Sequence, residues 1–383
     1  CWRCNSPLLY YAKKSWYINT TSSKSRLISG NSEISWYPSH IKEGRFGEWL
    51  RNNVDWAVSR ERYWGTPLPI WECTECGDLT CIGSVSDLKN KIDPAQTHLI
   101  DGLDLHRPYI DEINLVCSEC TGPMKRVPEV LDAWFDSGAM PYAQWHHPFS
   151  GRDLQSEGLL SADYICEAVD QTRGWFYTLH ALSTLLMGNP CYRNVICLGL
   201  ILDGNGQKMS KRLGNVVDPW KVLDAQGADA IRWYLFTASH SGEPRRFSED
   251  LVNDVIRRFT LTLWNVYSFF TTYASVDKFH PTQVGEDWCP VVDLDRWVLS
   301  ELNSLVLQVD NHLASYNPTD AGRRIQDFVD RLSNWYVRRS RRRFWKSEND
   351  MDKMSAYATL HTCLSTVCKI LGPFMPFLAE EMY

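Results

Sequence analysis

The 383-residue sequence holds no apolar run long enough to span a bilayer, no secretory pattern, no low-complexity segment and no repeat of solenoid period. Those absences exclude a bundle of membrane helices, a disordered polar tract and a stacked-repeat array. A basic excess is missing too, because 40 Lys and Arg stand against 46 Asp and Glu, for a formal net charge of −6. A uniformly basic nucleic-acid binder is thereby excluded, and any RNA contact must come from local patches. Nor does the sequence resemble a disulfide scaffold. Its thirteen cysteines are an odd number, and three pairs have Cys-x-x-Cys spacing, which points to metal binding in a reducing, cytoplasmic compartment. What is abundant is apolar and aromatic: 44% hydrophobic residues with 17 Trp, enough core for two or three domains.

Boundary signals are absent at both ends. Residue 1 is Cys, in a Cys1-Trp2-Arg3-Cys4 knuckle with no second pair close by, and the helical pattern ending at Glu380-Glu381-Met382-Tyr383 has no stop signal. The chain therefore reads as an internal piece of a longer protein, with Cys1 and Cys4 forming half of a site completed upstream.

The most informative stretch is Lys208-Met209-Ser210-Lys211-Arg212. It follows the apolar run 195–202, which reads as one buried strand, and a flexible exit at Asp203-Gly204-Asn205-Gly206. Leu213-Gly214-Asn215-Val216-Val217-Asp218-Pro219 closes the loop, and Pro219 is placed to open a helix. Lysines at a strand's carboxyl end can follow charge as it develops on a departing pyrophosphate. A solvated basic turn is the plainer reading of the five residues alone.

Cys73-Thr74-Glu75-Cys76-Gly77 and Cys117-Ser118-Glu119-Cys120-Thr121-Gly122 make a matched C-x₂-C pair of knuckles. Four thiolates with no His favour a closed structural zinc site at Cys73, Cys76, Cys117 and Cys120, with Cys81 as a substitute ligand. The following glycine suits the backbone turn that aims amides at sulfur. Buried, reduced cysteines are the competing reading. Cys166, Cys191, Cys197, Cys289, Cys363 and Cys368 sit in apolar runs and are expected in the core.

Residues 163–176 read as a strand, a polar turn and a helix starting near Gln171, within a 131–240 region whose strand and helix alternation fits a parallel α/β sheet. Ligands of such sheets bind beyond the strands' carboxyl ends, which puts Glu167, Asp170 and Gln171 beside the basic loop. There they suit ribose hydroxyls or an amino-acid ammonium, while a helix cap at Asp170 is the structural alternative. From residue 249 onward the pattern is helical, with helices expected over 249–275, 293–314, 319–347 and 350–371. One carries Arg338, Arg339, Arg341, Arg342 and Arg343 beside Trp335, Tyr336, Phe344 and Trp345, with Arg338, Arg341, Arg342 and Trp345 on one face. Such a face can track phosphates and stack on bases. Taken alone, the segment is better read as an amphipathic helix with its aromatics in the core and its arginines in water or paired to Asp327 and Asp330.

The Lys loop with its flanks resembles the second signature loop of class I aminoacyl-tRNA synthetases. Segments 55–71, 131–141, 167–176, 208–219 and 334–345 occur in the order found in isoleucyl-tRNA synthetases, across essentially the whole chain. The resemblance implies an α/β fold, the second half of a class I nucleotide-binding Rossmann-like domain, with a zinc-binding insertion, followed by an all-α bundle that binds the anticodon. It divides the chain into an editing-domain exit (1–50), a connective segment with the zinc insertion (51–130), the catalytic half-domain (131–245) and a helical anticodon-binding domain (246–383).

It further implies ATP, Mg²⁺ and Zn²⁺ as cofactors, isoleucine and tRNA(Ile) as partners, a monomer and no membrane. Glu167 matches the residue holding the aminoacyl-adenylate, Asp170 and Gln171 lie near its ribose and amino group, Trp134 and Trp175 match walls of the side-chain pocket, and Lys208 and Lys211 match the loop lysines. Ala168 stands where many members have Gly. No His-x-Gly-His, the first signature motif, occurs in the sequence, so the chain alone is expected to be inactive. Valyl or leucyl specificity is the alternative within the class, and a non-catalytic zinc and RNA-binding module the alternative outside it.

Overall fold

A computed structural model describes residues 6–9, 11–210, 212–283, 288–290, 292–346 and 350–383, apart from the side chain of residue 283. Cys1, Cys4 and Lys211 lie outside the described residues. The chain divides into two compact units, one reaching to Ile165 with Asp170–Val195 added, the other comprising Cys166–Val169 and Ile196–Tyr383.

The strands Ala162–Ala168 and Tyr192–Leu198 bracket the helix Trp175–Met187 in the sequence, and the three-strand sheet is completed by Ser35–Tyr37 beside Tyr192–Leu198. The helix is apolar nearly all round, and everything from Phe176 to Thr184 is buried, as expected where a helix is covered on several sides. It stops at Gly188, whose φ of +82° suits a left-handed C-cap. It starts at Trp175, after a separate 3-10 turn over Val169–Arg173, and not at Gln171. Gly174, with φ −144° and ψ −117°, breaks the two apart, and the Gln171 side chain accepts from the Trp175 N–H at 2.9 Å. The cap at this turn is thus Gln171, where the sequence suggested Asp170.

Residues 70–126 build a four-stranded antiparallel sheet in the order Leu79–Cys81, Ile70–Cys73, Pro123–Arg126, Leu115–Val116. Period-two alternation sends Trp71 and Cys73 inward, where Trp71 packs with Leu88, Ile110, Ile113 and Met124 and donates its indole N–H to Ile113 O at 2.8 Å.

The second unit is mostly helical. Its expected single strand over 195–202 is broken. Pairing of Tyr192–Leu198 ends at Leu198, and Ile201–Leu202 pairs in parallel with Arg245–Arg246. A Cβ on Gly199 would lie 2.1 Å from Glu243 O, so only glycine permits this backbone approach, and the strand bends there. The helices Pro219–Gln226, Ala228–Thr237 and Asp293–Ala314 fall where periodicity puts them, and Asp218, Ser248, Asn317 and Asp350 cap four N-termini through their side chains. A π-turn over Ile256–Thr260 joins Glu249–Val255 to Leu261–Asp277, and another over Leu332–Val337 joins Pro318–Arg331 to Arg338–Trp345. Phe328, Leu332, Tyr336, Phe344, Tyr357 and Leu360 fill the bundle core, and Trp233 stacks on Phe259 at 3.9 Å. Among the described residues no helix is long and apolar enough to cross a membrane.

Candidate functional site

The four knuckle cysteines come together. Their sulfurs all lie within 4.8 Å of one another, with Cys73–Cys120 at 3.4 Å and Cys76–Cys117 at 3.6 Å. Tetrahedral zinc–thiolate bonds of about 2.3 Å require sulfurs about 3.8 Å apart, so the cluster fits that ion. Backbone N–H groups of Cys76 and Glu75 pull the Cys73 thiol down to about 6. Although the Gly122 amide draws Cys120 down, the neighbouring thiols of Cys73 and Cys76 push it up to about 12. The knuckles differ in their turn residue. Gly77 takes φ +74° in the first, but Thr121, not Gly122, takes the left-handed conformation at +60° in the second. Cys81 is exposed and stands outside the cluster. Cys289 is also exposed and Cys166 half-buried, so neither is the fully buried core cysteine its apolar surroundings suggested.

Trp134 and Trp175 lie on two helices that pack against each other in the first unit. Asp132 caps the helix Ala133–Gly138 by accepting from the Trp134 N–H at 3.3 Å, and Arg60 holds the same carboxylate at 2.6 Å. The Trp175 indole donates to Ser137 O at 3.2 Å. A Cβ on Gly174 would meet the Trp134 ring at 3.2 Å and the Gln171 amide oxygen at 2.6 Å, so glycine is required where ring, amide and helix start converge. The two helices approach closely at Gly138, whose Cβ position lies 2.9 Å from Thr178 O. Trp134 is 42% exposed and Trp175 half-buried, so both retain surface that packing has not consumed. Gln171 donates its other amide group to Asp170 at 3.3 Å, and Asp170 is exposed. Glu167, in the second unit, is exposed at the end of the strand Ala162–Ala168, and Ala168 is half-buried.

The Lys loop is fastened at its base. Asp203 Oδ1 accepts from the Asn205 and Gln207 N–H groups at 3.0 and 2.8 Å, and its Oδ2 from the Asn215 amide at 2.9 Å. Asn215 in turn accepts from Ser210 N–H at 2.8 Å and donates to Lys208 O at 3.2 Å. Asn215 and the turn amides hold the Asp203 carboxyl below the usual carboxylate range. Lys208 is exposed, and Met209 packs against the cluster of Val222, Ala230 and Phe247. Sequence reasoning used Asp203 and Asn215 only as flanks, although their Asp-Gly-x-Gly and Leu-Gly-Asn contexts carried the signal for a side-chain fastening. It missed Arg246, whose Nε lies 3.3 Å from the Cβ position of Gly206 and for which local sequence gives no signal.

On the helix Arg338–Trp345, Arg338, Arg341, Arg342 and Trp345 are exposed, while Ser340 and Phe344 face the core. Arg339 lies over the exposed Trp335 ring at 4.4 Å. Among the described residues Arg338, Arg341 and Arg342 have no ion-pair partner; the arginine that pairs is Arg343, with Asp295 at 2.6 Å, and not with the Asp327 or Asp330 that proximity suggested.

Comparison with known proteins follows the same division. The family model "tRNA synthetases class I (I, L, M and V)" matches residues 8–247, and "Anticodon-binding domain of tRNA ligase" matches 295–383. Isoleucine–tRNA ligases of Dehalococcoides mccartyi (strain CBDB1) and Thermus thermophilus are 62% and 50% identical over 100% of the chain. The chain spans 38% and 36% of their lengths. Among solved structures, Mycobacterium tuberculosis methionyl-tRNA synthetase in complex with methionyl-adenylate superposes with a TM-score of 0.70 at 16% identity, covering 99% of this chain and 64% of that one. The Agrobacterium radiobacter K84 agnB2 LeuRS, in its ternary complex with tRNA and LeuAMS, gives 0.64 at 19% over 90% of this chain and 44% of that one. These two likenesses carry the fold alone, but with a family model matched over more than half its length, the chain belongs to the class I tRNA synthetases of the I, L, M and V group.

Proposed function

We propose that the protein carrying this chain is an isoleucine–tRNA ligase, which joins isoleucine to ATP as the adenylate and passes it to a terminal ribose of tRNA(Ile). The carrying observation is identity of 50–62% with isoleucine–tRNA ligases over the whole chain. The isoleucine carboxylate attacks the α-phosphate and pyrophosphate departs, so the work is positioning and charge stabilisation. Trp134 and Trp175 offer flat apolar walls to a branched side chain, and Gln171 and Asp170 offer polar groups to its ammonium and to ribose. Glu167 holds the adenylate. Lys208 and Lys211 supply positive charge as pyrophosphate leaves, where cationic loops act most strongly. Mg²⁺, when bound, would supply further charge neutralisation on the phosphates.

Zinc fits Cys73, Cys76, Cys117 and Cys120 as a structural clamp on the antiparallel insertion, with no open position for chemistry. On this reading residues 1–50 leave the editing region, 51–130 form the connective segment, 131–245 the catalytic half-domain and 246–383 the anticodon-binding bundle, where Arg338, Arg341, Arg342 and Trp345 face tRNA. Amino-acid-dependent pyrophosphate exchange by the whole protein, run with isoleucine, valine and leucine, tests the reading. Isoleucine should lead at equal concentration, and a preference for valine or leucine reassigns the specificity.

A further inference from the structure

Two segments far apart in sequence meet on the surface of the first unit and assemble aromatic rings that packing does not use. Trp64 is 70% exposed and Tyr63 60% exposed. The His106 ring lies parallel to Trp64, centroids 5.0 Å apart and planes within 6°. The Arg107 guanidinium carbon sits 5.1 Å from the centre of the Tyr63 ring, and Arg107 also donates to Arg62 O at 3.2 Å. The rings are held from behind. Asp104 accepts from both the His106 backbone N–H at 2.9 Å and its ring Nδ1 at 2.7 Å. Asp111 grips Arg107 at 2.8 Å. On the other side Gly65, at φ +151°, turns the chain so closely past Val130 that a Cβ would sit 3.1 Å from its side chain, which directs Trp64 outward.

We propose that Tyr63, Trp64, His106 and Arg107 form a preorganised stacking platform for unpaired bases of RNA. A flat indole already backed by a parallel ring, next to a tyrosine backed by a guanidinium, presents π-faces that any base can cover, and such surfaces bind single strands without reading sequence. The surround is ionic and near balance, with Arg62 and Arg107 beside Glu61 and Glu129, so the rings rather than net charge select the partner. Asp111 is shared by Arg107 and the buried Arg126, so two guanidiniums face one carboxylate, and Arg62 has no ion-pair partner among the described residues. A hydrophobic protein partner would call for aliphatic neighbours around the rings, whereas those lining the adjacent cavity of about 330 Å³ are mostly charged. The platform adds an RNA contact remote in sequence from the arginine helix and rests on the tRNA reading for its ligand.

The test uses fluorescence anisotropy of labelled RNA on the 383-residue chain: tRNA, an eight-nucleotide single strand and an abasic strand of equal length and charge. The base-containing strand should bind about tenfold more tightly than the abasic one, the scale of one stacked base. Trp64→Ala should abolish that difference, Trp64→Phe should keep most of it, and affinity for the abasic strand should not change. Equal binding of the two strands by the unsubstituted chain, or an undiminished difference in both Trp64→Ala and Tyr63→Ala, overturns the platform. If tRNA binds while either result holds, the synthetase reading survives without the platform; if no RNA binds at all, the platform falls, and the synthetase reading is decided separately by pyrophosphate exchange. Self-association that Trp64→Ala removes, without base discrimination, assigns the rings to a protein contact and likewise overturns it.

Discussion

Replacing Asp295 by alanine should unfold the helical bundle more readily than any change to its exposed arginines. The carboxylate is fully buried and accepts four hydrogen bonds, two from Arg343 at 2.6 and 2.8 Å, one from Tyr336 and one from Ser355, each at 2.8 Å. Removal strands a guanidinium whose side chain is only 13% exposed, together with the buried Tyr336 hydroxyl. Breaking one side of a buried ion pair costs roughly 3–5 kcal/mol, and the orphaned Tyr336 hydroxyl roughly 1–3 kcal/mol more. Asp352 keeps its contact to Arg343 Nε at 2.8 Å and limits the loss, so about 4 kcal/mol is expected overall. For a unit of this size that lowers the melting temperature by about 10 °C. Circular dichroism melts and urea titrations followed at 222 nm measure it. Asp295→Asn, which keeps shape and one acceptor, should lose about half as much. The double change Asp295→Leu with Arg343→Met should recover much of the loss, because the cost lies in the unpaired charge. An Asp295→Ala protein within about 1 kcal/mol of the parent, or a double variant no better than the single one, refutes the reasoning.

Zinc content should be about one per chain, by the four-thiolate stoichiometry, and elemental analysis of Cys76→Ser/Cys117→Ser should find it lost; unchanged content places the ion elsewhere. Trp175→Ala in the whole protein should weaken isoleucine more than ATP through lost apolar contact, by roughly 2 kcal/mol, with zinc retained. Equal affinity for isoleucine in parent and variant, measured by equilibrium binding, returns Trp175 to the core. Lys211→Ala should slow adenylate formation far more than it weakens isoleucine, and equal losses in both assays would give it a ground-state role. Burial pushes the fully enclosed His180 down to about 4, so the unfolded chain takes up its proton first as pH falls. Stability of the first unit should be complete above about pH 6.5 and fall by roughly 3 kcal/mol as pH drops through about 4. Denaturant midpoints at pH 7, 6 and 5 should show this slope in the parent and a flatter one in His180→Gln.

What could be read from the sequence is mostly what is set within a few residues. The helix Asp293–Ala314 announces itself by apolar period, Pro219–Gln226 also by its Asp218 cap, and the cysteine knuckles by spacing. Errors arose where a distant chain decides. The strand over 195–202 looks continuous until Glu243 O is seen against Gly199. Arg343 pairs with the nearby Asp352, but its fully buried partner is the distant Asp295, whose carboxylate also accepts from the Tyr336 hydroxyl. The polar turn before the helix is legible, but the helix begins at Trp175 rather than near Gln171, because a side-chain cap acting across Gly174 cannot be distinguished from another helical turn by periodicity alone. The second zinc knuckle shows the same limit, since Thr121 adopts a conformation its composition would have assigned to the glycine after it.

The Asp203–Asn215 contact joins two residues twelve positions apart and makes the Lys loop a closed ring rather than an open span. Ring closure transfers the conformational entropy cost to the folded scaffold, so the tip can change shape without the base having to be reassembled each time. It also couples the two rims. Because Asn215 touches Ser210 and Lys208 as well as Asp203, any rearrangement that releases one hydrogen bond loosens the others, and the ring should respond as a single latch with a threshold instead of bending by degrees. A tenfold change in the strength of that one amide–carboxylate contact would therefore shift the whole loop's equilibrium by about 1.4 kcal/mol, although neither residue carries the charge that the loop presents.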